Sequence, residues 1–179
     1  LKKVNQIIHW CNYFDVEPMF SVISENAYKI FKKTNLNKIK IASRSLKFDF
    51  KLVKKIVEEN TDKKIYISLG MWEEKKVPFK HKNIDYLFCV SKYPSFNEDL
   101  DNFPKKFSKN NFLGFSDHTI GIETCLLAIS RGAQIIEKHF TLDKSNTTIR
   151  DHALSATPDE FKNMVNLGRE IYKKVSLGI

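Results

Sequence analysis

Two histidines at matched positions carry the first chemical signal in this chain. His118 closes the run Gly114-Phe115-Ser116-Asp117-His118-Thr119, and His139 closes Ile136-Glu137-Lys138-His139-Phe140. Both runs are strand-like and the residues between them have helical spacing, so the pattern is a βαβ unit with a histidine at each strand's C-terminal end. Neighbouring strands lie about 4.8 Å apart, close enough for two imidazoles to converge on one cation. Side chains alternate along a strand, so Gly114, Ser116 and His118 share one face, as do Ile135, Glu137 and His139. Ser116 is expected beside the cation, with Asp117 and Glu137 in reach for supporting hydrogen bonds. Two imidazoles leave several coordination positions for water and substrate. Such an open site suits Mn2+, Fe2+ or Mg2+-type octahedral chemistry better than closed structural zinc. A single histidine at a buried strand end is more often a hydrogen-bonded core residue; it is the pair on adjacent strands that points to a site.

Other polar residues gather at strand ends: Lys40 with Ser43, Ser68, and Ser91 with Tyr93. Lys40 and Ser43 have opposite parity, so both face one mouth only if their strand ends irregularly. An ammonium with a set of hydroxyls is what a phosphorylated carboxylate requires. Tyr93, before Pro94, can place a phenol there, and Asp151 can reach over from the loop ahead of the last helix. The bland alternatives are aromatic packing for Tyr93, a turn for Asp151 and a sheet-edge charge for Lys40. His9, His81 and His152 are expected at surface or loop positions.

The elements that must hold these groups alternate along the chain. Helices are predicted over 1–14, from a cap at Ser24 to a stop at Asn35 and Asn37 (burying Ala27, Ile30 and Phe31), and over 48–60, 122–131 and 157–176. Strands are predicted over 19–23, 38–43, 64–70, 84–91, 112–119 and 134–142. Thr157-Pro158-Asp159-Glu160 is a strong helix start, with Thr as N-cap and Glu three residues on. Gly132 stops the preceding helix. The segment 96–109 reads as a loop with a short helix, and 143–156 as a polar loop. Strand and helix recur every 20–25 residues, the pattern of parallel βα units. The expected fold class is α/β with about six parallel strands, either an open doubly wound sheet or part of a (β/α)8 barrel. No Gly-rich phosphate loop occurs, which weakens nucleotide binding. In barrels the strands' C-terminal face is where active sites form.

Composition narrows the classes further. The 179 residues are 42% hydrophobic and 28% charged, ordinary for a globular domain. No apolar run approaches the ~20 residues of a membrane span, and no signal peptide is visible, so a cytoplasmic protein without membrane partners is expected. Net charge is +9, but only four of the 30 basic residues are arginine, and the lysines fall in scattered pairs. A solvated lysine-rich surface fits better than a nucleic-acid interface, and a basic field can attract an anionic substrate. Cys11, Cys89 and Cys125 are widely spaced and odd in number, which favours reduced, buried thiols.

The run from Gly114 to Gly121, Gly132-Ala133, and Ile136 to Asp143 closely resembles the sialic acid (N-acetylneuraminate) synthases and their legionaminic and pseudaminic acid relatives. Lys40-Ile41-Ala42-Ser43, Ser68-Leu69-Gly70-Met71, Cys89 to Pro94 and Asp151-His152 follow the same family in the same order. The resemblance covers essentially the whole chain. It implies a partial (β/α)8 barrel, an incomplete catalytic domain over 1–179, with the first two βα units and a C-terminal antifreeze-like domain absent. It implies condensation of phosphoenolpyruvate with an N-acylated hexosamine, N-acetylmannosamine-like, to a nonulosonic acid and phosphate. The alternatives are an inactive truncated remnant, or another phosphoenolpyruvate aldol synthase using a sugar phosphate. On this resemblance His118 and His139 bind a divalent metal, Mn2+ foremost with Mg2+ or Co2+ possible. Lys40, Ser43, Ser68, Ser91 and Ser116 bind substrate, and Tyr93 and Asp151 join the two histidines as catalytic groups near the sugar. A homodimer is implied at full length. The chain departs from the family pattern at Val22, where a Thr is common, at Ser45, where a Glu is usual, and at Ser91, where some members have Asn.

Overall fold

The computed structural model describes residues 1–145 and 148–179; Asn146 and Thr147, in the loop predicted over 143–156, lie outside the described residues. The chain forms two compact units, Leu1–Asp85 and Tyr86–Ile179.

The first unit contains α1 (Lys2–Tyr13), β1 (Phe20–Ser21), α2 (Glu25–Phe31), β2 (Lys38–Ile41), α3 (Ser43–Phe48), α4 (Phe50–Glu59) and β3 (Lys64–Ser68). Its strands are parallel, with Phe20 opposite Ile39 and Ile39 opposite Ile65. Ile39, Ile41, Ile65 and Ile67 are fully buried. Alternate strand residues point to opposite faces, so burial of these β-branched residues sets the register. The side chain of Asp49 accepts a hydrogen bond from Leu52 N at 3.2 Å, which starts α4. Leu52, Val53, Ile56 and Val57 then form its inner stripe. Each such aliphatic side chain stabilises the fold by roughly 1.5–3 kcal/mol when fully buried.

Two expectations fail here for identifiable reasons. On α2 the inner position predicted for Ile30 belongs to Tyr28, and Ile30 is exposed. The Tyr28 hydroxyl donates to Glu59 Oε2 at 2.8 Å and accepts from Asn60 Nδ2 at 2.7 Å, so its polar tip is satisfied while its ring is buried. On α1 no residue is fully buried: Cys11 is half-buried, not interior, and Ile7 is exposed. Trp10, Tyr13 and Phe14 pack on one another at the surface.

β4 (Ile84–Cys89) leads into the second unit, which holds β5 (Gly114–Asp117), α5 (Glu123–Ser130), β6 (Ile135–Lys138) and α6 (Pro158–Ser176). Its strands are also parallel: Cys89 faces Ser116, Ser116 faces Glu137, and Asp117 faces Lys138. The strands are shorter than predicted, and both histidines fall one residue beyond their ends. The segment 96–109 is irregular apart from the short turn Asn97–Asp99. It still supplies Phe107 to a core of Phe115, Ala128 and Ala133, against which Phe88, Phe103, Phe112 and Ile136 pack. Gly132 ends α5 with a φ of +95°, a conformation that favours glycine. Thr157 and Glu160 form the predicted capping box of α6. Along the apolar side of α6, Met164 is fully buried and Phe161, Val165 and Ile171 are half-buried. Among the described residues no helix is long and apolar enough to cross a membrane.

Candidate active site

In the second unit, parallel register brings the two imidazoles together. Ser116 and Glu137 are paired across β5 and β6, and continuing each strand by two residues puts His118 and His139 side by side. Their ring centroids are 5.3 Å apart with an interplanar angle of 66°. The backbone beyond the strands is held by two isolated bridges, Ser95 to Thr119 and Phe140 to Ala156. Ser95 N donates to His118 O at 2.9 Å, and Ala156 N donates to His139 O at 2.7 Å.

His118 is buried, and its Nδ1 lies 2.7 Å from Val90 O. A carbonyl oxygen only accepts, so the ring proton sits on Nδ1 and the lone pair on Nε2. Burial holds the imidazole pKa below its ordinary value; the Val90 hydrogen bond opposes that shift and the neighbouring His139 adds to it. A neutral ring with its other N–H anchored on a carbonyl is the usual state of a metal-ligating histidine. His139 Nδ1 lies 3.7 Å from Asp151 Oδ2. Tyr93 stands against both rings, with centroids 4.0 Å from His118 and 5.9 Å from His139, and precedes Pro94 through a cis peptide bond. Ser116 is buried at the foot of this cluster. Ser91 joins it through Cys89: the Cys89 sulfur is 3.9 Å from Ser91 Oγ and 3.9 Å from His118 Nδ1.

Asp117 does not support the ligands as expected. Strand alternation turns it to the opposite face, where it pairs with Lys138 at 2.6 Å, both side chains fully buried. Asp117 also accepts from Thr119 N at 2.8 Å and from the Cys125 thiol at 3.1 Å. Burial, with the carboxylate beside it, pushes the Cys125 thiol pKa up, so it stays protonated and unreactive.

The first unit carries its own cluster at the ends of β2 and β3. Lys40 is buried, and its ammonium donates to Ser68 Oγ at 2.9 Å and to Ile41 O at 3.2 Å. Ser43 Oγ accepts from Gly70 N at 3.0 Å. The parity conflict between Lys40 and Ser43 is resolved by an element that sequence reasoning missed: β2 stops at Ile41 and α3 begins at Ser43, so the chain turns between them. Val22 is buried at the end of β1, and its N–H donates to Lys40 O at 3.1 Å.

Among the described residues no three His, Cys, Asp or Glu side chains converge as a metal-binding group. The donor set of the second unit is therefore two imidazoles, and it fits a cation that completes its shell with water and substrate oxygen. A closed zinc site needs four protein ligands and does not fit. His9 and His81 are exposed, as predicted.

A family model described as NeuB family matches residues 1–178. The chain is 41% identical over 160 residues to protein MJ1065 of Methanocaldococcus jannaschii, an alignment covering 83% of this chain and 46% of that protein. It is 34% identical over 179 residues to the N,N'-diacetyllegionaminic acid synthase of Campylobacter jejuni, covering 93% and 50%. The crystal structure of a sialic acid synthetase from Leptospira borgpetersenii in complex with citrate matches with a TM-score of 0.82 at 25% identity, covering 97% of this chain and 63% of that one. The chain thus spans about half the length of the curated relatives it matches. With six parallel strands and intervening helices, its fold class is α/β, a partial (β/α)8 barrel.

Proposed function

This chain belongs to the NeuB family, and from that premise we propose that it carries phosphoenolpyruvate-dependent condensation with an N-acylated hexosamine, giving a nonulosonic acid and phosphate. The observation that carries the proposal is the convergence of His118 and His139, with the free nitrogen of His118 defined by the Val90 carbonyl. The family resemblance of the motifs around them and the synthases named among the relatives support it.

His118 and His139 would hold a divalent ion, Mn2+ foremost. Such an ion, when bound, supplies Lewis-acid polarisation of the open-chain sugar aldehyde. The chain's own residues do the rest. Lys40, with the hydroxyls of Ser43 and Ser68, would hold anionic groups of phosphoenolpyruvate through charge-assisted hydrogen bonds, and Ser116 would offer its hydroxyl to substrate in the second unit. The methylene carbon of phosphoenolpyruvate forms the new C–C bond to the aldehyde carbon as the enol C=C and aldehyde C=O π bonds open, and the aldehyde oxygen takes up the proton that the adding water gives up. Water adds to the cationic carbon left behind, and the tetrahedral adduct expels phosphate by C–O cleavage. Tyr93 and Asp151 orient the sugar, Tyr93 by its position against both rings and Asp151 by its reach to His139. Ser91 borders the same cluster.

The test is phosphate release from phosphoenolpyruvate by the protein at its natural length, with Mn2+ and N-acetylmannosamine or its 2,4-diacetamido relatives. Release that needs both the sugar and the metal is expected. No release with any N-acyl hexosamine, or release with a sugar phosphate alone, would overturn the proposal.

A further inference from the structure

We propose that the buried Asp117–Lys138 ion pair is a positioning device that holds His118 and His139 at ligating separation. The inference rests on the two-imidazole reading of the site and concerns residues on the opposite face of the strands. The last residues paired in the β5–β6 ladder are Asp117 and Lys138, so each histidine lies one step past the point where the two strands are joined. Beyond that step their backbones are bonded to different segments, His118 to Ser95 and His139 to Ala156.

The Lys138 ammonium crosses this gap. It donates to Asp117 Oδ2 at 2.6 Å and to Thr119 O, the residues on either side of His118, while Lys138 itself directly precedes His139. One side chain therefore brackets one histidine and is covalently next to the other. A buried ion pair adds little net stability compared with well-packed apolar residues, so stabilisation alone does not account for charge at this point. Tying two strand ends in one geometry does. Neither side chain faces the rings, so both act through the histidines they flank.

The test compares wild type with Asp117→Leu/Lys138→Met, which removes the tether without leaving one charge buried alone. Two measurements are made on the protein at its natural length. One is the nuclear Overhauser effect between the ring protons of His118 and His139 without metal. The other is Mn2+ affinity by titration calorimetry, with the Co2+ d–d spectrum reporting ligand geometry. The ring contact is expected in wild type and lost in the double variant, with Mn2+ affinity falling roughly 10–100-fold and the Co2+ spectrum altered. Ring contact that is absent from wild type or kept in the double variant overturns the proposal, and so does unchanged affinity after the contact is lost. Should wild type bind no Mn2+, the metal reading fails, and the ring contact alone decides the role of the pair. If the double variant does not fold, Lys138→Gln takes its place; a weakened ring contact supports the tether, and an unchanged one overturns it.

Discussion

The two units present opposite chemistry at their strand ends. In the first, Lys40 offers an ammonium beside the hydroxyls of Ser43 and Ser68, groups that donate hydrogen bonds to an anion. In the second, His118 and His139 offer nitrogen lone pairs beside the carboxylates of Glu137 and Asp151, groups that attract a cation. Each unit also buries a strand lysine, but to different ends. Lys40 contacts the hydroxyl of Ser68 on the neighbouring strand, whereas Lys138 is matched to the fully buried carboxylate of Asp117. On the proposed function and the proposed tether, the same residue type would meet a ligand in one unit and join two strand ends in the other. What separates them is the partner each meets, a hydroxyl for Lys40 and a carboxylate for Lys138.

That contrast can be broken most sharply at His118. His118→Ala is expected to remove saturable Mn2+ binding in titration calorimetry, and unchanged affinity would end the two-imidazole site. Next in size is Lys40→Met. Losing one charged hydrogen bond of about 2 kcal/mol weakens phosphoenolpyruvate binding roughly 30-fold, while Mn2+ affinity stays within about threefold; a parallel loss of both would erase the division of labour. Gly114→Ala probes the second unit's framework. An added methyl would meet the Ile135 carbonyl oxygen and lie 2.7 Å from the Ile135 Cβ, where β5 passes against β6. Overpacking of this kind costs roughly 1–3 kcal/mol, which a urea midpoint measures; wild-type stability would refute the close approach.

The smallest effect belongs to the first unit and appears only in alkali. Burial, then the hydrogen bond to the Glu59 carboxylate, raises the Tyr28 hydroxyl pKa from 10.0 to about 12. Above pH 10 the unfolded chain loses this proton while the folded chain keeps it. The Tyr28 contribution is therefore complete below pH 10 and disappears as pH rises from 10 to 12. Tyr28→Phe should flatten that part of the stability profile, and an identical slope in the variant would show that the phenol titrates normally.

Much of this architecture is legible in residue order. Alternation and the spacing of βα units place six strands, the pair His118 and His139, and the capping box at Thr157 and Glu160. What stays hidden depends on contacts distant in sequence. Tyr28 displaces Ile30 from the interior because Glu59 and Asn60, about thirty residues on, satisfy its hydroxyl. The early end of β2 brings Ser43 to the start of a helix, which parity along one strand does not reveal. Asp117 was legible in principle: it has opposite parity to His118, and the β5–β6 register then selects Lys138 as its partner. The Val90 carbonyl has no sequence signal, since every residue type carries that group.

That last contact also bears on how the site tolerates change. The atom that orients His118 belongs to the main chain, so replacing Val90 by another residue leaves the oxygen in place as long as the strand keeps its path. The direction of the His118 lone pair is thus insulated from drift at position 90. The Ser91 side chain can vary without removing the oxygen that holds His118 Nδ1, whereas Cys89, its sulfur 3.9 Å from that nitrogen, touches the ring directly.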